Sequence, residues 1–186
     1  HQDSTFLFYF AGHGAVEEAA ADIGQLVLSG YDPRDTLRTG YEMSRLSEDF
    51  AERLRSQHQL LLLDCCYSGF AVERGEPPDV GHIFELWKKR AQVVVTAATK
   101  KQRAWEDLRG NTSHFMRALL FGLGDGLPAD VPIDEQPDGI ITDDEVFAFL
   151  RRHLRTQTPL RARRRSAADS LEDVGQFLFI PVSGGP

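Results

Sequence analysis

The sequence predicts an α/β domain built on a mostly parallel central sheet, and three stretches carry that prediction. Leu60-Leu61-Leu62-Leu63 is an unbroken apolar run that switches abruptly to Asp64-Cys65-Cys66-Tyr67-Ser68-Gly69, as a strand buried on both faces does where it leaves its sheet. Thr5-Phe6-Leu7-Phe8-Tyr9-Phe10 is an aromatic, β-favouring run that stops at Ala11-Gly12-His13-Gly14. Val93-Val94-Val95-Thr96-Ala97-Ala98 is a third such run. As parallel neighbours the first two release His13 and Cys66 on one rim, the carboxyl edge where open α/β sheets place their chemistry.

The remaining elements follow in order. Ala15 to Asp22 is small and polar, suited to a mobile rim loop. Gln25 to Leu28 reads as a short strand stopped by Ser29-Gly30-Tyr31-Asp32-Pro33. From Ser44 to Leu54, Leu46, Phe50 and Leu54 recur at i, i+4 and i+8, widened by Met43 and Ala51, which predicts a helix covering the sheet. Val72 to Gly81, with Gly75, Pro77 and Pro78, disfavours regular structure. Ile83 to Arg90 reads as a short helix ending on Lys88-Lys89-Arg90. The exit of the valine strand, from Thr99 to Asp107, is expected at the same rim, with Trp105 either walling a pocket or plugging the core. A helix is expected over His114 to Leu123, and another from Asp143 to Leu154. Thr142 and Glu145 form a capping box for the second. The stretch Asp134 to Glu145 also fits part of a calcium-loop pattern, but Pro137, Gln136 and the lack of an entering helix favour capping. Arg161 to Arg165 reads as a solvated basic loop, and Gln176 to Pro181 as an edge strand closing the sheet.

The 186 residues, 41% of them hydrophobic, suffice for a single domain with a real core over 1–186. A net charge of −7 argues against a nucleic-acid-binding surface or an anionic membrane as partner. No apolar run approaches the ~18 residues of a membrane span, and no signal peptide is evident, so a cytoplasmic protein is expected. The two cysteines are adjacent, a poor geometry for a structural disulfide. The six histidines show no paired ligand spacing, so no metal is expected.

Cys66 is the candidate nucleophile and His13 its candidate base, a pairing that makes a thiolate available near neutral pH. Glycines on both sides of His13 permit close approach of another chain segment, which a histidine merely filling a core does not need.

The motifs Phe10-Ala11-Gly12-His13-Gly14 and Asp64-Cys65-Cys66-Tyr67-Ser68-Gly69 resemble those of caspase-like cysteine peptidases, and among these the metacaspases and their bacterial relatives. The histidine stands 53 positions before the cysteine (66 − 13), against about 50 in caspases. The resemblance extends through Val93 to Thr99, Ala104-Trp105-Glu106, His114 to Leu123, Asp138-Gly139-Ile140-Ile141-Thr142 and Phe177 to Pro181. It departs at Ala11, where many metacaspases have serine, and at Tyr67, where histidine is common.

What the resemblance implies is a caspase-like (caspase-hemoglobinase) three-layer sandwich whose N-terminal strand or strands are absent from this chain, so that the domain is N-terminally incomplete. It further implies a cysteine-type endopeptidase using the Cys66–His13 dyad through a thioester intermediate, with backbone N–H groups of Gly14 and Cys66 as the oxyanion hole. Asp64 would pair with a cationic substrate side chain, giving cleavage after Arg or Lys of a protein or peptide substrate. Asp64 serving only to cap a turn is the alternative. Arg74 is a candidate self-cleavage site or a solvated loop residue. Calcium remains open, since some metacaspases require it. The missing N-terminal segment or a companion regulatory domain is the expected partner. The rival reading is a catalytically idle caspase-like scaffold. An α/β-hydrolase elbow or a dinucleotide-binding glycine turn is not found at the strand ends.

Overall fold

A computed structural model describes residues 4–17, 23–72, 90–102, 112–124, 133–134, 138–163 and 175–180. The expected Ile83–Arg90 helix as far as residue 89, the Val72–Gly81 loop beyond Val72, Arg74, Trp105 and Glu106 lie outside the described residues.

The central sheet is built from β1 (Thr5–Ala11), β5 (His58–Asp64), β6 (Ala91–Thr96) and β8 (Leu160–Arg163), in the order β1-β5-β6-β8. The first three run parallel and β8 is antiparallel, so the fold is α/β with a mostly parallel sheet. All seven residues of β5 are buried, as its leucine run demands. Alternation then divides those leucines between two cores. Leu60 and Leu62, with Val93 and Val95, pack against α3 (His114–Gly122) and α4 (Asp143–His153) through Phe115, Leu119, Phe149 and Leu150. Leu61 and Leu63 face the opposite way, toward Met43 and Leu46 of α2 (Met43–Arg53). Each fully buried leucine contributes roughly 1.5–3 kcal/mol. Both faces of the sheet are thus covered by helices.

A second sheet, antiparallel in the order β2-β3-β4, joins β2 (His13–Val16), β3 (Gly24–Val27) and β4 (Tyr41–Glu42). A one-turn helix, α1 (Thr36–Thr39), lies between β3 and β4. The loop expected after His13 is therefore replaced, at least to Val16, by a strand. Its ladder to β3 satisfies the backbone that a loop would leave to water.

Two further expectations are corrected. The last strand, β9 (Leu178–Phe179), does not close the central sheet; it pairs with β7 (Ile141–Thr142) as a separate two-stranded ribbon. Of the basic run, Arg161 and Arg163 are not solvated either: they lie on β8, with side chains only 10% and 6% exposed, while Arg164 and Arg165 lie outside the described residues. Their register opposite Val95 and Val93 turns them to the α4 face, where Asp143 and Asp144 open the helix. Arg163 Nη2 meets Asp143 Oδ2 at 2.6 Å and Asp144 Oδ2 at 2.7 Å. Burial alone would raise the Asp144 carboxyl, but Arg163 and Arg161 bring it below its ordinary range. Asp143 Oδ1 also accepts from the backbone N–H of Phe177 at 2.9 Å, tying strand, helix and the lead into β9 through one carboxylate.

The capping reading holds. Thr142 Oγ1 accepts from Glu145 N, and the Glu145 carboxylate accepts from Thr142 N at 2.9 Å. Asp134 and Asp138 accept from the backbone N–H groups of Gly139 and Ile140.

Removing one partner of the buried ion cluster leaves an uncompensated charge, so Arg163→Met is expected to cost about 3–5 kcal/mol in urea denaturation. A loss below ~1 kcal/mol would mean that the cluster is solvated after all.

Candidate functional site

The site is built where β1 and β5 end together. Their parallel register matches Thr5 with His58 and continues without slip to Ala11 opposite Asp64. One further bond, from Gly12 N to Asp64 O at 3.2 Å, carries the pairing past the last strand residue. The chain then enters β2, where His13 is exposed and pairs with Val27. A Cβ built on Gly14 would lie 2.0 Å from the carbonyl oxygen of Cys66, closer than any real Cβ contact. Glycine is required there because the backbone beside His13 presses directly on that of Cys66. Gly14 and Cys66, the two residues whose N–H groups were expected to face an oxyanion, are therefore in backbone contact, with the exposed His13 immediately before Gly14.

The two cysteines separate cleanly. Cys65 is fully buried beside Leu63 and Met43, and burial, followed by the charges of Asp64 and Cys66, pushes its thiol up to about 12. Cys66 is half-buried, beyond the strand end. Only the second is placed to meet a substrate.

Tyr67 follows with φ of 58°, a left-handed conformation that is an outlier for a bulky residue. Strain of this kind persists only where surroundings over-determine it. Here Tyr67 N donates to Gln102 O at 2.9 Å. Ser68 Oγ donates to Ala98 O at 3.3 Å and accepts from Ala98 N at 3.2 Å. Gly69 allows the turn to lie on Thr99 and Lys100, for its Cβ would come within 2.5 Å of Lys100 N. A 3₁₀ turn over Ser68–Ala71 then buries Phe70. The exit of β6 thus holds the thiol-bearing turn from beneath.

Asp64 sits at the strand end but is only 4% exposed. Its Oδ2 accepts from Tyr9 Oη at 2.7 Å and from Ser113 Oγ. Burial and then the neighbouring carboxylate raise the Tyr9 phenol well above its ordinary value, keeping it a donor. Ser113 also caps α3, accepting from Met116 N at 2.9 Å. The carboxylate expected to meet a cationic substrate is thus engaged by two protein hydroxyls.

Sequence reasoning missed Tyr9, Ser113 and Gln102. Ser113 could have been found as an N-cap before an apolar helix. Tyr9 differs from its strand neighbours only in its hydroxyl, and Gln102 left no signal. Among the described residues no three His, Cys, Asp or Glu side chains converge as a metal site. Among the described residues, too, no helix is long and apolar enough to cross a membrane.

The geometry gives two expectations. At about pH 8, iodoacetamide should label Cys66 in the native chain, and Cys65 only after denaturation, read by peptide mass mapping. First labelling of Cys65 would reverse the assignment. Gly14→Ala should cost about 1–3 kcal/mol through overpacking and change the alkylation rate of Cys66. An unchanged rate would show that the two backbones do not touch.

No family model matches the chain. An amino-acid acetyltransferase of Vibrio atlanticus (strain LGP32) is 26% identical over 157 residues, which are 83% of this chain and 33% of that protein. The chain spans about a third of the length of the curated relative it matches. The expected class, a cysteine-type endopeptidase, is corrected by this finding: the relative is named as a transferase, not a peptidase.

Proposed function

We propose that the rim carries a thiol-based acyl-transfer site on a caspase-like three-layer sandwich, with Cys66 as nucleophile and His13 as the proton carrier. The observation that supports it best is the contact of Gly14 with the Cys66 carbonyl, which sets the imidazole-bearing segment against the thiol-bearing turn. In the first half-reaction the Cys66 thiolate attacks the carbonyl of an acyl donor. Its leaving group departs with the proton from the His13 imidazolium, and a thioester remains. In the second, His13 takes the proton of an acceptor as it attacks the thioester, releasing the acyl product and the thiolate. Backbone N–H groups of Gly14 and Cys66 serve the oxyanion in both halves.

The acceptor decides the net reaction: water gives hydrolysis, and an amine gives acyl transfer. Acyl movement is also what the relative's name describes, although that protein extends well beyond the matched region. Asp64 favours a donor bearing a guanidinium or ammonium group, which would compete with Tyr9 and Ser113 for the carboxylate.

The test uses N-acyl-arginine and N-acyl-aspartate thioesters, with and without a primary amine acceptor. Intact mass should show an acyl adduct on Cys66 from the arginine donor that hydroxylamine discharges. Turnover should fall at least about 100-fold in Cys66→Ala and in His13→Ala. Amide product in the amine arm supports transfer, and free acid in the water arm supports hydrolysis. A chain whose Cys66 alkylates readily but forms no adduct with either donor would overturn the proposal in favour of an idle scaffold.

A further inference from the structure

The turn that carries Cys66 hangs on one residue of the segment leaving β6. Gln102 O accepts from Tyr67 N at 2.9 Å, a bond that holds the left-handed backbone next to the thiol. Gln102 N donates to Thr99 O at 3.2 Å, closing the turn from Thr99 to Gln102 on itself. A bulky residue in the left-handed region costs more than one hydrogen bond returns, so the acceptor at Gln102 must itself be held in place.

The Gln102 side chain supplies that hold. Its Oε1 accepts from Thr158 N at 3.1 Å, 56 positions away in the chain, and lies 3.5 Å from Thr99 N. Thr158 stands two residues before β8, whose ladder to β6 begins with Leu160 opposite Thr96. The same segment is tied to α3, where His114 Nδ1 lies 3.4 Å from Thr156 Oγ1. Thr158 N is therefore placed by the sheet, and the Gln102 carboxamide carries that placement to the acceptor of Tyr67 N. A glutamine that only filled a connector would leave its carboxamide to water, whereas Gln102 is half-buried.

We infer that Gln102 is the positioning residue of the Cys66 turn, and that through it the segment joining α4 to β8 controls the orientation of the thiol and of the Cys66 N–H. The consequence for turnover rests on the acyl-transfer reading of the rim; the consequence for the turn does not.

Three variants of the full chain test it. Gln102→Met and Gln102→Ala remove the acceptor oxygen with different effects on packing, and Gln102→Glu keeps it. Hydrogen exchange followed by NMR should show the Tyr67 amide exchanging at least about tenfold faster in both variants without the acceptor, and within about twofold of the parent in Gln102→Glu. The amides of β1 and β5 should exchange at parent rates, which a general loss of stability would not allow. On the N-acyl-arginine thioester, kcat should fall about tenfold in Gln102→Met with KM unchanged, and return in Gln102→Glu. Unchanged Tyr67 exchange in the variants without the acceptor, or Gln102→Glu as impaired as Gln102→Met, would overturn the inference. A chain that gives the expected Tyr67 exchange but turns over no thioester would support the positioning role and count against acyl transfer instead.

Discussion

The slip-free register between β1 and β5 is the constraint on which the rest depends. A shift of one residue would move every side chain of β1 to the opposite face. Tyr9 would no longer point toward the Asp64 side, and Phe8 and Phe10 would leave the α2 core. The register also determines where β1 stops relative to β5, and so whether Gly14 meets Cys66 at all. Strand length, not loop design, puts the imidazole and thiol segments side by side. The turn itself is then fixed from the segment that follows β6, through Gln102, Ala98 and Lys100.

Much of this architecture was legible because it rests on local periodicity. The leucine run, the aromatic run and the valine run each became a strand of the central sheet, and the capping box of Thr142 and Glu145 appeared as written. The readings that failed depended on partners far away in sequence. Arg161 and Arg163 look like a solvated run until Asp143 and Asp144 are brought against them. Gln176 to Pro181 reads as an edge of the central sheet, until Ile141 and Thr142 pair with Phe179 and Leu178 instead. Asp64 was correctly placed at the strand end, but its engagement by Tyr9 and Ser113 depends on residues 55 and 49 positions away.

The site also shows how one environment sorts two identical groups. Cys65 inherits the alternation of β5 and falls into the α2 core, where a neutral thiol is a small hydrophobe. Cys66 is one residue further along and has already left the sheet. The chemistry proposed for it relies on the His13 imidazole and on a backbone that stops at the right residue.

The supports of that turn have a temporal consequence. Ser68 is held by Ala98, thirty residues later in the chain, and Tyr67 by Gln102 beyond it. A nascent chain carrying Cys66 lacks both until that stretch has emerged and β6 has docked on β5. Until then the left-handed backbone at Tyr67 has nothing to hold it, and the thiol has no fixed orientation. The geometry of the Cys66 turn is thus incomplete until the stretch from Ala98 to Gln102 has been made and has folded back upon it.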